Sequence, residues 1–278
     1  MNTTQRIILR TMFRELANST VDGVSGVWAV HSPRPGPTVG ITIMTHGNEP
    51  SGLAAYHYFR YVYQLEKRLR KGTVYFVLNN PRAAHKYFSV KSEEGRKRAR
   101  FIDVNMNRLP NNTFGSKNDR RYEVRRARTL RKMWKRFQYA LDIHSTGQPT
   151  KPMIIKLARS GSRLISRFPI ATIISNIDAV QAGKPASYFY GEREAAVYGI
   201  EVGGHEVGRS LSRAITCTKA FLASLKLISE PLPRHTQNQI EYKVFGSVWF
   251  ANESYELVRA MKNFERGYKG QLIARGNG

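Results

Sequence analysis

The stretch Ile41-Thr-Ile-Met-Thr-His46-Gly-Asn-Glu49-Pro-Ser-Gly52 opens as an apolar run of the kind that forms a buried strand and ends in a histidine and a glutamate three residues apart. Residues 51–70 then carry Leu53, Tyr56, Phe59, Val62, Tyr63 and Leu69 mostly at three- and four-residue intervals, which predicts a helix. Side chains at strand ends of open α/β sheets face a crevice instead of the core. A His and a Glu at this spacing can therefore share one metal ion, provided a third ligand follows.

Outward from this stretch, residues 7–16 predict a short helix and 26–32 alternate like a strand. Pro33-Arg-Pro-Gly-Pro37 is a stiff turn, since proline fixes φ and cannot donate to a ladder. The strand entering His46 spans 38–45, and the continuously apolar 73–79 predicts an interior strand. Asn80-Pro-Arg-Ala then turns the chain outward, and a helix is expected over 119–137 with Ala127, Leu130, Met133 and Trp134 on its apolar side. The strand 139–144 again ends in histidine, His144. Strand, helix and strand alternate through 152–157, 160–167 and 171–174, followed by a strand at 197–204 and an amphipathic helix at 208–227. This alternation predicts an α/β fold, with helices on both faces of a sheet. Beyond Pro231 the texture changes, with short strands at 240–250 and 255–258. Residues 1–232 are therefore read as one α/β domain and 233–278 as a small β-rich C-terminal appendage.

At 278 residues the chain suits that organisation. No apolar run approaches the ~20 residues of a membrane span, and the N-terminal residues lack the apolar stretch of a secretory signal. A single cysteine, Cys217, excludes an internal disulfide framework and fits a reducing compartment. The expectation is a cytoplasmic protein without membrane insertion. The net charge of +25 favours contact with nucleic acid, acidic surfaces or anionic small molecules. Ten basic residues between Lys117 and Arg136 stand against two acidic ones, Asp119 and Glu123, and the plainer reading is a solvated helix face. Aromatic residues are sparse there, which argues against stacking on single-stranded nucleic acid.

A catalytic zinc site takes three protein ligands and keeps one position open, and His2Glu is a standard set. His46, Glu49 and His144, at the ends of two predicted strands, supply that set. Glu201 lies in the apolar strand Tyr-Gly-Ile-Glu-Val-Gly-Gly, where a carboxylate is costly unless paired or functional. It reads as a general base beside the metal or as a strand-end glutamate turned to solvent. Asn107 and Arg108 can hold a substrate carboxylate in forked hydrogen bonds, and Arg100 can stabilise an oxyanion. In so basic a chain these arginines also read as ordinary surface residues.

Taken in order, His46-Gly-Asn-Glu49, Asn80-Pro-Arg-Ala, Arg100-Phe-Ile-Asp, Asn107-Arg108, Asp142-Ile-His144-Ser and Ile200-Glu201-Val-Gly203 resemble the succinylglutamate desuccinylase/aspartoacylase family, relatives of zinc carboxypeptidases. The resemblance runs from about residue 25 onward. It implies a zinc-carboxypeptidase-like mixed sheet flanked by helices and one Zn2+ per subunit on His46, Glu49 and His144. Glu201 would be general base and then acid, Arg100 would polarise the amide carbonyl, and Asn107 and Arg108 would bind a substrate carboxylate. The substrate would be a small anionic N-acyl amino acid, succinylglutamate- or acetylaspartate-like, and the subunits would have scope to form a homo-oligomer. The family also uses an arginine or tyrosine shortly before the catalytic glutamate. Arg193 is the nearest arginine, at an unexpected spacing, with Tyr188 and Tyr190 as other candidates.

The family's usual Asp-x-Asp-Leu-Asn-Arg stands here as Asp103-Val-Asn105-Met-Asn-Arg108, which removes a charge beside Arg108. The same ligands and Asn-Arg pair would also serve a zinc metallocarboxypeptidase. A basic protein that binds nucleic acid or acidic surfaces over a vestigial site is the third reading, and nucleic acid is the less favoured partner.

Overall fold

The computed structural model describes residues 2–276 apart from 116–117, 158, 181–182, 206–207, 232–233 and 248–253. Among the described residues eight strands form one mixed sheet: β1 (Val27–His31), β2 (Thr38–Ile43), β3 (Thr73–Leu78), β4 (Tyr139–Thr146), β5 (Met153–Lys156), β6 (Thr172–Ser175), β7 (Ala196–Gly204) and β8 (Ile240–Lys243). Their order across the sheet is β8-β6-β5-β7-β4-β2-β3-β1. The inner four, β7, β4, β2 and β3, run parallel, and β5 and β1 join them antiparallel on either side. The parallel register sets Thr42 beside Asp142, Asp142 beside Gly199, and His144 beside Glu201.

Alternation along these strands sorts side chains into two cores. Ile41, Ile43, Leu141, Ile143, Ile200 and Val202 pack on one face, under the helices α1 (Thr3–Asn18), α2 (Ser51–His57) and α5 (Gly208–Ser224). The opposite face carries Val77, Ala140 and Val197 under α4 (Tyr122–Trp134), which buries Val124, Ala127, Leu130, Met133 and Trp134. Thr42, Asp142 and Glu201 alternate with residues of the first core, so they project from the second face, where the polar residues of the site collect. The mixed sheet flanked by helices agrees with the expected architecture.

Three local expectations change. The helix expected over 51–70 is interrupted: α helix runs to His57, a wider turn follows, closed by Tyr63 N donating to Tyr58 O at 2.7 Å, Gln64 breaks it with φ of 57°, and one α-helical turn resumes at Leu65–Arg68. That widening leaves Phe59, Tyr63 and Leu65 all buried. The turn expected at Asn80-Pro-Arg-Ala is the start of a helix, α3 (Pro81–Ser89). Asn80 caps it by accepting from Ala83 N at 3.2 Å, and Pro81 occupies the first turn, where its missing N–H costs nothing. Thirdly, Ile240–Lys243 is not part of a separate appendage but pairs in parallel with β6. The chain divides into compact units at 1–244 and 245–278, so the boundary lies past the one drawn at 233. Residues 248–250 of the strand expected over 240–250 lie outside the described residues. Within the second unit, Tyr255–Leu257 pairs antiparallel with Ala274–Gly276. Among the described residues no helix is long and apolar enough to cross a membrane.

Gly47 in the ligand turn is required by close approach. A Cβ built there would lie 2.2 Å from the carbonyl carbon of Ala83 in α3 and 2.4 Å from Ala99 O. Gly115, by contrast, would bring a Cβ only to an ordinary contact of 3.7 Å. Urea unfolding of Gly47→Ala should show a loss of about 1–3 kcal/mol, the usual cost of overpacking against backbone. Gly115→Ala should stay within about 0.5 kcal/mol of wild type.

Candidate metal centre and substrate cleft

β2 ends at Ile43, and Met44 takes a left-handed φ of 49°, uncommon for a residue with a side chain. The neighbouring strand still satisfies this bend, with Asn79 N and Asn80 N donating to Ile43 O and Met44 O at 3.0 and 3.2 Å. Beyond the bend, His46 Nδ1 lies 2.7 Å from Glu49 Oε1, and His144 Nδ1 from β4 lies 2.7 Å from Glu49 Oε2. All three residues are buried, and their ligand atoms lie within 4.8 Å of one another.

The far nitrogen of each imidazole faces an acceptor: His46 Nε2 meets Asn105 Oδ1 at 2.9 Å, and His144 Nε2 meets Asp142 Oδ2 at 3.0 Å. Asp142 also accepts from Thr42 Oγ1 at 2.7 Å and Thr45 Oγ1 at 3.2 Å. Acceptors behind the rings hold the Nε2 protons and leave the Nδ1 lone pairs for a cation, a familiar arrangement behind histidine ligands. Two such nitrogens and a carboxylate, buried together, could hold a divalent ion of zinc type. Burial opposes charge on His144, but Asp142 and Glu49 raise its pKa well above the ordinary histidine value. Burial likewise opposes charge on Glu49, yet His46 and His144 hold it well below the usual carboxylate range. His46, by contrast, is lowered by burial.

Glu201 faces this group from β7, beside His144 in register. Its Oε2 is buried without a hydrogen-bond partner among the described residues, and burial followed by the repulsion of Glu49 pushes its pKa to about 8. Arg100 Nη1 donates to Glu49 Oε1 at 2.9 Å, and Arg100 O accepts from Gly47 N at 2.9 Å, which fastens the Arg100 segment to the ligand turn. Asn107 Nδ2 lies 3.4 Å from His144 Nε2. Arg108 donates to Asn107 O at 2.6 Å and pairs with no carboxylate among the described residues; burial, then Arg100, lower its pKa. His46, His144, Glu201, Arg100, Asn107 and Arg108 all line one cleft of about 150 Å³.

Comparison with known proteins gives this arrangement its relatives. The Succinylglutamate desuccinylase/Aspartoacylase catalytic domain matches residues 35–226, more than half of the chain. The chain belongs to the succinylglutamate desuccinylase/aspartoacylase family. No curated protein matches it by sequence. Among solved structures, succinylglutamate desuccinylase from Vibrio parahaemolyticus aligns with a TM-score of 0.64 at 16% identity, covering 90% of this chain and 76% of its own. A succinylglutamate desuccinylase from Silicibacter sp. TM1040 aligns at 0.62 and 18% identity, covering 93% and 79%. The product-bound ectoine utilization protein EutE from Ruegeria pomeroyi aligns at 0.62 and 16%, covering 90% and 75%. At these identities the likeness is one of fold.

For a member of the succinylglutamate desuccinylase/aspartoacylase family, Asn105 is informative. Its side-chain oxygen accepts from both His46 Nε2 and Asn107 N, the latter at 2.7 Å, so it keeps the hydrogen bonds an aspartate would make. The charge behind His46 is lost, while Asp142 keeps one behind His144. Arg193 is not brought to the cleft. Gly191, Glu192 and Arg193 all have positive φ (56°, 51° and 82°), and Arg193 lies exposed over the Tyr188 ring at 4.9 Å. Tyr190 is buried, its hydroxyl accepting from Asn79 Nδ2 at 3.1 Å, and Asn79 also donates to Thr45 at 2.9 Å.

Two supporting residues have no role in the sequence reading. Asp142 was legible in principle, since it sits two positions before His144 in a strand and so shares its face. Glu123 was not. It is fully buried at the start of the basic helix α4 and accepts from Ile102 N at 2.7 Å, Asp103 N at 3.0 Å, Val104 N at 3.1 Å and Asn80 Nδ2 at 3.0 Å. One carboxylate therefore shapes the loop between Arg100 and Asn105. Glu123→Gln turns an amide donor towards backbone donors, a mismatch of about 1–3 kcal/mol. Steady-state kinetics should show KM rising more than kcat falls, with metal content by elemental analysis unchanged.

Glu201 sets a pH dependence. Its folded pKa, about 8, lies above that of an unfolded glutamate, so its stabilising contribution is complete below the unfolded value and is lost as pH rises through about 8. In metal-free protein the urea midpoint of wild type should therefore fall relative to Glu201→Gln between about pH 5 and 8. Parallel profiles would contradict this.

Proposed function

We propose that the chain is a zinc-dependent amidohydrolase that removes the acyl group from an N-acyl amino acid bearing a free carboxylate. The observation that carries this reading is the convergence of His46, Glu49 and His144 beside an oxygen of Glu201 that has no hydrogen-bond partner among the described residues. Membership of a family named for desuccinylation and acylase activity supports it.

His46, Glu49 and His144 would hold the zinc, which would supply Lewis-acid polarisation and lower the pKa of water towards ~7. Glu201, which faces the three ligands from β7, takes the proton of the attacking water and hands it to the departing amine. Arg100 lies beside Glu49 with more than a third of its side chain exposed to the cleft and stabilises negative charge developing on the carbonyl oxygen. Asn107 and Arg108 hold the substrate carboxylate, orienting the amide towards Glu201. Asn105 and Asp142 keep the two imidazoles from rotating.

Elemental analysis should find about one zinc per chain, and a screen of N-acetyl and N-succinyl amino acids should reveal deacylation. Glu201→Gln should retain the metal and lose about 10²–10⁴ in kcat, the usual contribution of a general acid–base. His144→Ala should lose both metal and activity. A metal-free wild type that is fully active, or an active His144→Ala variant, would sink the proposal.

A further inference from the structure

The positive charge of the chain gathers around one cavity that the reaction above does not use. This cavity, of about 470 Å³, is lined by residues 32–34, by the short helix Leu65–Arg68 and its continuation to Arg70, and by residues 229–230. His31 and Thr38 both pair with Thr73, which puts residues 32–34 at the end of the sheet where β2 and β3 begin. His46, His144 and Glu201 stand towards the opposite ends of their strands. Arg34, Lys67, Arg68 and Arg70 line the cavity, and none of them pairs with a carboxylate among the described residues. The acid in the lining, Glu230, is paired with Lys219 at 2.8 Å. Glu66, next to Lys67 in the chain, accepts from Trp28 Nε1 at 3.1 Å.

Backbone bonds fix the three segments to the body of the fold. Ser32 N donates to Gly72 O, Gly72 N to Arg34 O and Arg70 N to Leu227 O, each at 2.9 Å. The proline turn fits closely on Gly72, since a Cβ built on Gly36 would lie 2.7 Å from Gly72 N. Gln64, with φ of 57°, opens the short helix that carries Lys67 and Arg68, and Arg68 lies over the Tyr63 ring at 5.1 Å. Cations scattered over a solvated face, such as Arg125 and Lys132 on α4, need no partner. Four cations held around one concavity repel one another, and an anion that meets them together relieves that repulsion. The cavity has the size of a small-molecule site. A phosphoryl group carries about −1.5 to −2 charges near pH 7 on three acceptor oxygens that point apart, so two such groups balance four cations arriving from different segments. Guanidinium groups suit those oxygens because their donors form a rigid fork.

We propose that this cavity is a second, non-catalytic site that binds a small metabolite carrying two phosphoryl groups, held by Arg34, Lys67, Arg68 and Arg70. Calorimetric titration of the full chain with fructose 1,6-bisphosphate should show saturable binding at a single site. Arg34→Gln with Arg70→Gln removes two side chains that make no hydrogen bond among the described residues, so the thermal midpoint should hold. Affinity should fall by about tenfold or more, the scale of losing charge-assisted hydrogen bonds. Arg125→Gln with Lys132→Gln lowers the net charge equally and should bind as wild type. Should the Arg34/Arg70 double variant melt early, Arg34→Gln alone serves, with a smaller loss in the same direction. Glycerol 3-phosphate, with one phosphoryl group, and tricarballylate, with three carboxylates, should each bind more weakly than the bisphosphate by about tenfold. Absent binding, equal affinity in wild type and the Arg34/Arg70 variant, an equal loss in the α4 variant, or tricarballylate binding as well as the bisphosphate overturns the proposal. An oligothymidylate that binds where the bisphosphate does not overturns it too, in favour of a nucleic-acid surface.

Discussion

Glu49 is the group to which the rest of the site answers. A buried carboxylate is tolerated only when its charge is met, and here each of its oxygens faces an imidazole, with Arg100 on one of them. The imidazoles are in turn backed by Asn105 and Asp142. Removing any member leaves a neighbour buried and unpaired, so the cluster holds together as a network rather than as separate contacts. The bend at Met44 and the missing side chain at Gly47 bring Glu49 to that position. The parallel register of β2, β4 and β7 brings the other side chains to it.

The charge of the chain looks different once individual side chains are placed. Within α4, Arg125 and Lys132 are exposed, as a solvated face requires, but Arg126 is buried and donates to the carbonyls of Asn79, Leu78 and Ser25 at 3.1, 2.8 and 2.9 Å. Burial lowers its pKa to about 10 without discharging it at neutral pH. Glu123, three residues before it, holds the loop leading to Asn105. Charged residues in this helix thus anchor both the end of β3 and the wall of the cleft.

Much of this was legible in the sequence, for physical reasons. Apolar runs such as Ile41–Ile43 and Thr73–Leu78 mark strands because both sheet faces are covered, and the ligands stand out because polar residues at strand ends are exceptions to that pattern. The helix at Pro81–Ser89 was hidden because Asn and Pro signal a turn and a helix start equally well. The break at Gln64 arises from packing around Phe59 and Tyr63, which no periodicity encodes. Glu123 and Arg126 were hidden among like residues, since a buried charge in a charged helix reads as another exposed one. Arg193 was misleading because three consecutive left-handed residues carry it to the surface.

The strand order has a kinetic consequence. Thr42 and Asp142 are neighbours in the sheet although 100 residues apart in the chain, and Glu49 and His144 meet across 95 residues. Closing loops of that length costs entropy before any contact rewards it, which makes parallel, non-local sheets slow to fold. His46 and Glu49 lie three residues apart in one turn, but His144 joins them only once β2 and β4 have paired. A metal held by all three side chains would correspondingly be bound late, after the central strands have docked.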